Sequence, residues 1–324
     1  MTKLEIREIR ESEFPAWDKF VKESQQGNFF STSLWMDVLN KYPDGKSRIM
    51  GIFSSNDLVS GILIYERKKA FLKIMAYPPL TPFTTIIFRE SQTSRLSKIE
   101  SSQKKIIKLV NDYLSSEYNY AALQLEPSIK DVRPFLWLGW KLSVNYTYEI
   151  ALSDISNLWK GMDKDAKYEI NKAKNSGIII EENKEIDKFL ILYEKTFLRQ
   201  NSKVPIKKGF IKDMVGTLKN KCRLYSAITK ENEVVSGALV VWDEKKAYYL
   251  MAASEPNLKH GANYLLLWHI IEDMSGKFNS IDLVGANIPN LIKFKREFAT
   301  ELVHYFVVEK YSPFFIEILD KLYR

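Results

Sequence analysis

The sequence has one cysteine, Cys222, and three histidines, His260, His269 and His304, among its 324 residues. A single cysteine excludes a disulfide within the chain and a cysteine-based zinc site. The histidines stand singly, with no pair at helical i, i+4 spacing, so we expect no metal site. The sequence also has no G-x-S-x-G elbow and no GxxxxGK[ST] phosphate loop. These absences remove most arrangements of a nucleophile and its base.

Long hydrophobic runs are also absent. None approaches the roughly 18 residues that a membrane-spanning helix needs, and the start, MTKLEIREIRESEF, is charged where a signal peptide is apolar. We therefore expect a cytoplasmic protein with no integral membrane segment. The net charge of +8 divides evenly, since residues 1–150 hold 21 Lys/Arg against 17 Asp/Glu and residues 151–324 hold 27 against 23. This mild excess suits anionic ligands such as a nucleotide, coenzyme A or a tRNA acceptor end, and it predicts no DNA partner.

An internal repeat divides the chain into two similar halves. NDLVSGILIYERKKAFLKIMA, at residues 56–76, resembles NEVVSGALVVWDEKKAYYLMA, at residues 232–252. Both copies alternate apolar strands with a charged turn, which is typical of a β-hairpin. The predicted strands are Gly61–Tyr65 and Ala70–Met75 in the first copy, and Gly237–Trp242 and Ala247–Met251 in the second.

Corresponding elements surround both hairpins. A strand precedes each hairpin, and a helix, an apolar strand, a short helix and a closing strand follow it. Two helical stretches open each half. This order predicts an α/β protein of two tandem domains, each a mixed central sheet flanked by helices. We place the boundary at Ser153, so that the domains are residues 1–152 and 153–324, and we note an extra stretch near TPFTTIIFRESQTSRLSK in the first copy.

The segment NIPNLIKFKREFATELVHY predicts a helix capped by Asn287, with Pro289 in its first turn. At about 100° per residue, Lys295 falls inside the apolar arc of this helix, whereas Glu297 falls on the opposite side. A lysine in an apolar arc snorkels to solvent, has a buried partner or serves a site. The simplest alignment of the repeats sets Trp137 opposite Lys295. Packing alone therefore favours an aromatic residue there, and this difference favours a functional lysine.

Together with LYEKTFLRQ and LWKGMDKDAKYEINKAKNSGI, this segment resembles the Fem-type (FemABX) peptidoglycan aminoacyltransferases and their GNAT-like acyltransferase relatives. The resemblance is strongest over residues 156–310. It implies two GNAT domains in tandem and transfer of an acyl group to an amine. In the Fem branch the donor is an aminoacyl-tRNA and the acceptor is a muropeptide precursor, whereas other relatives use acyl-coenzyme A. No tightly bound cofactor is implied.

The resemblance also carries over to single positions. Phe294 and Lys295 match the family's phenylalanine-lysine pair, whose lysine is thought to stabilise the transferring carbonyl or an anionic ligand. Arg199 matches the arginine that follows a threonine-phenylalanine pair, and Lys167 lies where relatives often have arginine. Relatives commonly have two glycines after the next phenylalanine, where this chain has Ala-Thr at positions 299 and 300.

Several further residues are candidates for donor binding. Gly261, with Lys259 and His260 beside it, precedes an apolar helix whose free amides would face an anion. Lys167 and Lys172 lie on one side of a basic helix and form a possible phosphate platform, with a solvated face as the alternative. Arg199 suits a bidentate clamp on phosphate or carboxylate, or a surface salt bridge.

Tyr249 and Asp282 lie on adjacent predicted strands and are the candidates for a base or an orienting group. We therefore expect an acyltransferase that acts on an amine of a peptidoglycan or surface-glycan precursor, with Lys295, Tyr249 and Asp282 as its catalytic residues. One alternative is an acyl-coenzyme A-dependent N-acetyltransferase of a small-molecule or sugar amine. The other is a catalytically silent, ligand-binding descendant.

Overall fold

The computed structural model describes residues 3–69, 71–182, 186–199, 202–255 and 261–311. The chain divides into two compact units, Met1–Asn145 with His304–Arg324, and Tyr146–Val303. The expected mixed α/β fold class with two domains in tandem is confirmed. No described helix is long and apolar enough to cross a membrane.

The first unit is built on a mixed sheet with the strand order β1-β2-β3-β4-β6-β13, and β5 pairs with β3. Its strands are β1 (Leu4–Glu8), β2 (Lys46–Ser54), β3 (Asp57–Lys69), β4 (Leu72–Met75), β5 (Ile86–Phe88), β6 (Tyr120–Gln124) and the end of β13 (Glu301–Tyr311). Its helices are α1 (Phe14–Glu23), α2 (Ser33–Leu39), α3 (Leu96–Glu117) and α4 (Arg133–Trp137).

The second unit repeats this plan with the strand order β7-β12-β11-β10-β9-β8. Its strands are the end of β7 (Lys141–Ala151), β8 (Ile179–Glu182), β9 (Cys222–Ile228), β10 (Val234–Trp242), β11 (Lys246–Ser254) and β12 (Ser280–Asp282). Its helices are α5 (Ile155–Gly161), α6 (Lys164–Asn175), α7 (Ile186–Arg199), α8 (Lys208–Leu218), α9 (Ala262–Met274) and α10 (Pro289–Arg296).

The two predicted hairpins are present as β3–β4 and β10–β11, both antiparallel. The strand that precedes each hairpin is also antiparallel to it. The strand that follows the intervening helix is parallel, since β6 pairs with β4 and β12 pairs with β11. A parallel partner requires a crossover connection, and α3 and α9 supply it in the two units.

The unit boundary differs from the expected one at Ser153. It falls inside β7, between Asn145 and Tyr146, and the chain returns to the first unit from His304 onward. The physical reason is strand pairing. The end of β13 pairs antiparallel with β6 of the first unit, and the end of β7 pairs antiparallel with β12 of the second. The closing strand of each sequence repeat therefore completes the sheet of the other unit.

Each unit has its own apolar core. In the second unit, buried side chains of α6 and α9 cover one face of the sheet, among them Ile170, Leu266 and Ile271, each with 0% exposure. In the first unit, α3 contributes Ile107 and Val110 to the corresponding core.

Candidate active site

A cleft opens in the second unit where two parallel strands separate. β11 and β12 pair over three residues only, from Lys246 opposite Ser280 to Tyr248 opposite Asp282. β11 then runs on to Ser254 and keeps its pairing with β10. On its other side, no strand among the described residues continues the ladder. The cleft has a volume of about 410 Å³.

One wall of the cleft is the strand edge from Tyr249 to Glu255. The opposite wall is formed by Leu283 and Val284, which follow β12, and by three residues of α10. Thr196 of α7 and Asn263 of α9 complete the lining. The α10 residues are Leu291, Phe294 and Lys295.

A β-bulge interrupts β11 inside the cleft. Leu239 of β10 lies opposite Met251, whereas the next residue, Val240, lies opposite Tyr249. Leu250 therefore has no partner on β10, although it lines the cleft. Bulges redirect backbone and side-chain groups, and they are frequent next to active sites.

Lys295 is buried, with 8% exposure, and its ammonium lies against the backbone. Its Nζ donates to the carbonyl oxygens of Leu283, Val284 and Gly285, each at 2.7 Å. Burial lowers its pKa to about 8, and the charge of Asp282 opposes this lowering. Of the three possibilities for a lysine in an apolar arc, Lys295 therefore has a buried partner and does not snorkel to solvent. Its partners are the three backbone carbonyl oxygens.

Asp282 is completely buried and does not line the cleft. Its Oδ1 accepts hydrogen bonds from Thr147 Oγ1 at 2.5 Å and from the Val284 amide at 2.7 Å. Its Oδ2 has no hydrogen-bond partner among the described residues. Burial raises the pKa of this carboxyl to about 6. Asp282 thus anchors the turn after β12, and it is not positioned to meet a substrate in the cleft.

Tyr249 lines the cleft, and burial raises the pKa of its hydroxyl. No described residue hydrogen-bonds this hydroxyl, so it is free to meet a ligand. A phenol with a raised pKa stays protonated at neutral pH and acts as a hydrogen-bond donor or an acid. This chemistry favours an acid over the base that we considered from the sequence.

The predicted phosphate site is described only in part. Gly261 caps α9 with a left-handed φ of 62°, and a Cβ at this position would lie 2.3 Å from the carbonyl oxygen of Glu169. The glycine therefore permits close packing of α9 on α6. Asn263, in the first turn of α9, does line the cleft. Lys259 and His260 lie outside the described residues.

The basic helix α6 does not contribute to the cleft lining. Its Ala166, Ile170 and Ala173 are buried, which turns the lysines towards solvent. Lys167 donates to the carbonyl oxygen of Lys160, and Lys172 forms an ion pair with Glu169 at 3.4 Å. Arg199 ends α7, and its side chain lies outside the described part of the chain. The structure thus brings Lys295, Tyr249 and Phe294 together and leaves the α6 lysines apart.

Two details of the α10 prediction were wrong. Asn287 does not cap the helix. Instead it exchanges hydrogen bonds with the backbone N–H and C=O of Tyr146, at 2.9 and 3.2 Å, as a strand partner would. Glu297, which follows α10 with helical backbone angles, is 3% exposed rather than solvated, because Tyr264 of α9 packs against it. Its carboxylate accepts from the hydroxyl of Tyr264 at 2.8 Å.

The comparison with Trp137 also needs correction. Trp137 is 60% exposed, with the Lys104 ammonium 5.0 Å and the Arg133 guanidinium 5.8 Å from its ring centre. The first repeat therefore does not bury an aromatic side chain at this position. Lys295 differs from a surface lysine by its own burial and by its three backbone contacts.

Sequence reasoning missed the bulge at Leu250, the cleft residues Thr196 and Asn263, and the bond from Thr147 to Asp282. A bulge carries no distinctive residue here, and Thr147 lies 135 residues from its partner. The glycine at position 285 was the one available signal, because a glycine shortly after a strand permits positive φ, observed at 79°.

Residues 160–296 match the family model of the acetyltransferase (GNAT) domain. This range contains both walls of the cleft and Lys295, so the second unit contains a GNAT acyltransferase domain. No curated protein matches the chain in sequence.

Three solved structures show how far the likeness extends. FemX is similar with a TM-score of 0.66 and 14% identity, over 93% of this chain and 96% of that chain. A tandem GNAT protein from the clavulanic acid biosynthesis pathway is similar with a TM-score of 0.59 and 10% identity, over 95% of this chain and 98% of that chain. L-PGS from Bacillus licheniformis is similar with a TM-score of 0.56 and 13% identity, over 94% of this chain and 93% of that chain. The chain therefore has the tandem GNAT fold, and its likeness to FemX confirms the Fem-type resemblance at the level of the fold.

Proposed function

We propose that the chain transfers an acyl or aminoacyl group from an ester or thioester donor to an amine of a peptidoglycan or surface-glycan precursor. The observation that carries this proposal is the cleft between β11 and β12, which is lined by an open strand edge that contains a bulge and Tyr249. The GNAT domain match supports the reaction class, and the Fem-type resemblance supports the acceptor.

The open edge of β11 suits a donor with an extended arm. Beyond Tyr248 this edge offers backbone N–H and C=O groups that β12 no longer pairs. An arm with amide groups can pair with them as an added strand. The bulge at Leu250 then provides a backbone N–H for the oxygen of the transferring carbonyl, whose negative charge grows as the amine attacks.

Tyr249 provides the acid. The amine nitrogen attacks the carbonyl carbon, a C–N bond forms, and the C–O or C–S bond to the leaving group breaks. Tyr249 gives its proton to the leaving oxygen or sulfur. It regains a proton from the attacking nitrogen, which becomes cationic as the C–N bond forms and loses one proton to become the amide, so no other co-reactant is needed. A tyrosine hydroxyl is protonated at neutral pH, so the proton is present when the leaving group departs.

The donor is either an aminoacyl-tRNA or an acyl-coenzyme A, and both present an activated acyl group to the same cleft. A thermal-shift experiment distinguishes them. The chain is mixed separately with acetyl-coenzyme A, aminoacyl-tRNA and UDP-muropeptide, because a ligand that binds the folded state raises the melting temperature. We expect one donor class to raise it.

Ala252→Trp is the matched variant, because Ala252 is exposed and lines the cleft. The new indole fills the cleft and is expected to abolish the shift. Ile191→Trp, at an exposed position of α7 outside the cleft lining, should leave it intact. A donor shift that survives in Ala252→Trp, or no shift with any donor, would contradict the proposal.

Removal of the Tyr249 hydroxyl tests the mechanism. Tyr249→Phe should lower kcat by roughly 100-fold, the usual size of one general acid, with donor affinity unchanged. Tyr248→Phe is the control, since Tyr248 precedes it on β11 and does not line the cleft. An unchanged kcat in Tyr249→Phe would show that the leaving group takes its proton elsewhere.

A further inference from the structure

The turn after β12 brings three carbonyl groups together. Leu283, Val284 and Gly285 direct their oxygens at one point, and two of these residues have left-handed backbones, with φ of 49° at Val284 and 79° at Gly285. Converging carbonyl dipoles repel one another unless a cation lies between them. The ammonium of Lys295 occupies this position.

The hydrogen bonds of Lys295 leave no donor for a substrate. A protonated lysine has three N–H groups, and each of them meets one of the three carbonyl oxygens at 2.7 Å. A direct hydrogen bond to a transferring carbonyl would require one of these contacts to break. The occupied geometry therefore argues against contact with the reacting atoms.

The same turn forms a wall of the cleft. Leu283 and Val284 line it, and other bonds fix their backbone from the opposite side. The Leu283 amide donates to the carbonyl of Tyr148, and the Val284 amide donates to Asp282 Oδ1. The turn is thus held by its amides on one side and by Lys295 on the other.

We propose that Lys295 is a positioning residue, which holds the turn 283–285 in the shape that forms the donor-binding wall and does not itself touch the transferring carbonyl. The inference rests on the proposed function, since it assigns a role in the donor cleft. A loss of activity alone would not tell whether the lysine holds the donor-binding turn or acts on the transferring carbonyl, so the two effects are measured separately.

The experiment compares Lys295→Met with Lys293→Met, a neighbouring exposed lysine of α10. Donor affinity is measured without turnover, with coenzyme A and with an aminoacyl-adenosine in which an amide replaces the ester. Hydrogen exchange is measured for the amides of residues 283–287. The turnover number kcat is measured at saturating donor. In Lys295→Met we expect at least tenfold weaker binding, faster exchange in the turn and a kcat within about fivefold of the original, with no change in Lys293→Met.

Two results would overturn the inference. One is a kcat that falls 100-fold or more while probe affinity and turn exchange stay unchanged, since that pattern belongs to a group acting on the reacting carbonyl. The other is a variant in which none of the three quantities changes. If neither probe binds the original chain, the proposed function fails, whereas exchange in the turn still tests whether Lys295 holds it.

Lys295→Arg covers the case in which the methionine variant does not fold. Arginine keeps the charge, but its planar group cannot direct three N–H groups at three oxygens around a single point. We expect partial loss of exchange protection in the turn and weaker probe binding with kcat retained. Full protection and affinity with a large loss of kcat would contradict the positioning role.

Discussion

Asp282 makes the stability of the second unit depend on pH. Its carboxyl is completely buried, and its pKa is raised from an ordinary value of 3.8 to about 6. The folded chain therefore holds this proton more tightly than the unfolded chain does. The resulting stabilisation is fully present below pH 3.8 and is lost as the pH rises through 6.

Asp282→Asn imitates the protonated carboxyl and should remove this dependence. Relative to the original chain, the variant is expected to gain about 2 kcal/mol in free energy of unfolding between pH 4 and pH 7, which is most of the full effect at 1.36 kcal/mol per pKa unit. Urea unfolding of both chains at the two pH values measures the difference. The same pH slope in both chains would contradict a raised pKa at Asp282.

Ala299 has a backbone conformation that suits glycine. Its φ is 54°, and the residue is exposed, so its methyl group adds little packing. A side chain in the left-handed region costs roughly 1 kcal/mol. Ala299→Gly is therefore expected to raise the free energy of unfolding by about 1 kcal/mol.

Ala299→Val is the matched control, because a β-branched side chain tolerates positive φ least. It should lower stability, and urea unfolding measures both variants. The Cβ of Ala299 lies 3.3 Å from the position of a Cβ added at Gly161. A less stable glycine variant would show that this methyl group stabilises the fold by packing more than it destabilises it by backbone strain.

The burial of Lys295 could be predicted from the sequence, because it follows from helical periodicity. Its partners could not, since the carbonyls converge only through the positive φ values of Val284 and Gly285. Asn287 was predicted wrongly for a similar reason. Its partner Tyr146 lies 141 residues away, so a local capping rule had no access to it.

In the first unit, the described part of the chain fills the place that corresponds to the cleft of the second unit. There β4 ends at Met75 after two parallel pairs with β6. The chain then returns along β6, where the Thr84 amide donates to the Gln124 carbonyl at 2.8 Å and Thr84 Oγ1 accepts from the Gln124 amide at 3.0 Å. β5 follows at once and pairs with β3. The extra stretch recognised in the first repeat thus fills the place of a donor.

This difference predicts one donor site per chain. Isothermal titration with the donor identified by thermal shift should give a stoichiometry of one, because Phe83 and Thr84, with 2% and 4% exposure, occupy the place of a ligand in the first unit. Ala252→Trp should then remove all binding. A stoichiometry of two, or binding that persists in Ala252→Trp, would show that the first unit also accepts a donor.

The repeat predicted the order of elements in both units, because hairpin and helix patterns are local. It did not predict how the closing strands are shared. β13 meets β6 through pairs such as Val308 with Leu123, more than 180 residues apart along the chain. Periodicity identifies a strand, but it does not identify the strand's neighbour. The boundary predicted at Ser153 therefore matched the end of the sequence repeat and not the division between the two sheets.

Substitution in the last described strand tests this division. Val308 is completely buried and belongs to the core of the first unit, although it lies in the second sequence repeat. Val308→Ala should cost about 2 kcal/mol by removing buried methyl groups. Hydrogen exchange should accelerate at the β6 amides of Tyr120–Gln124 and stay unchanged at β12.

Ile281→Ala is the control, because Ile281 is equally buried but lies in the core of the second unit. It should accelerate exchange along β12 and its neighbour β11, with β6 unaffected. If Val308→Ala instead loosened β12 while β6 kept its protection, the closing strand would belong energetically to the second unit, and the division at Asn145 and His304 would be wrong. The expected pattern would mean that the residues completing the first sheet are synthesised after all the strands of the second unit, so this sheet cannot close before the second repeat has been made.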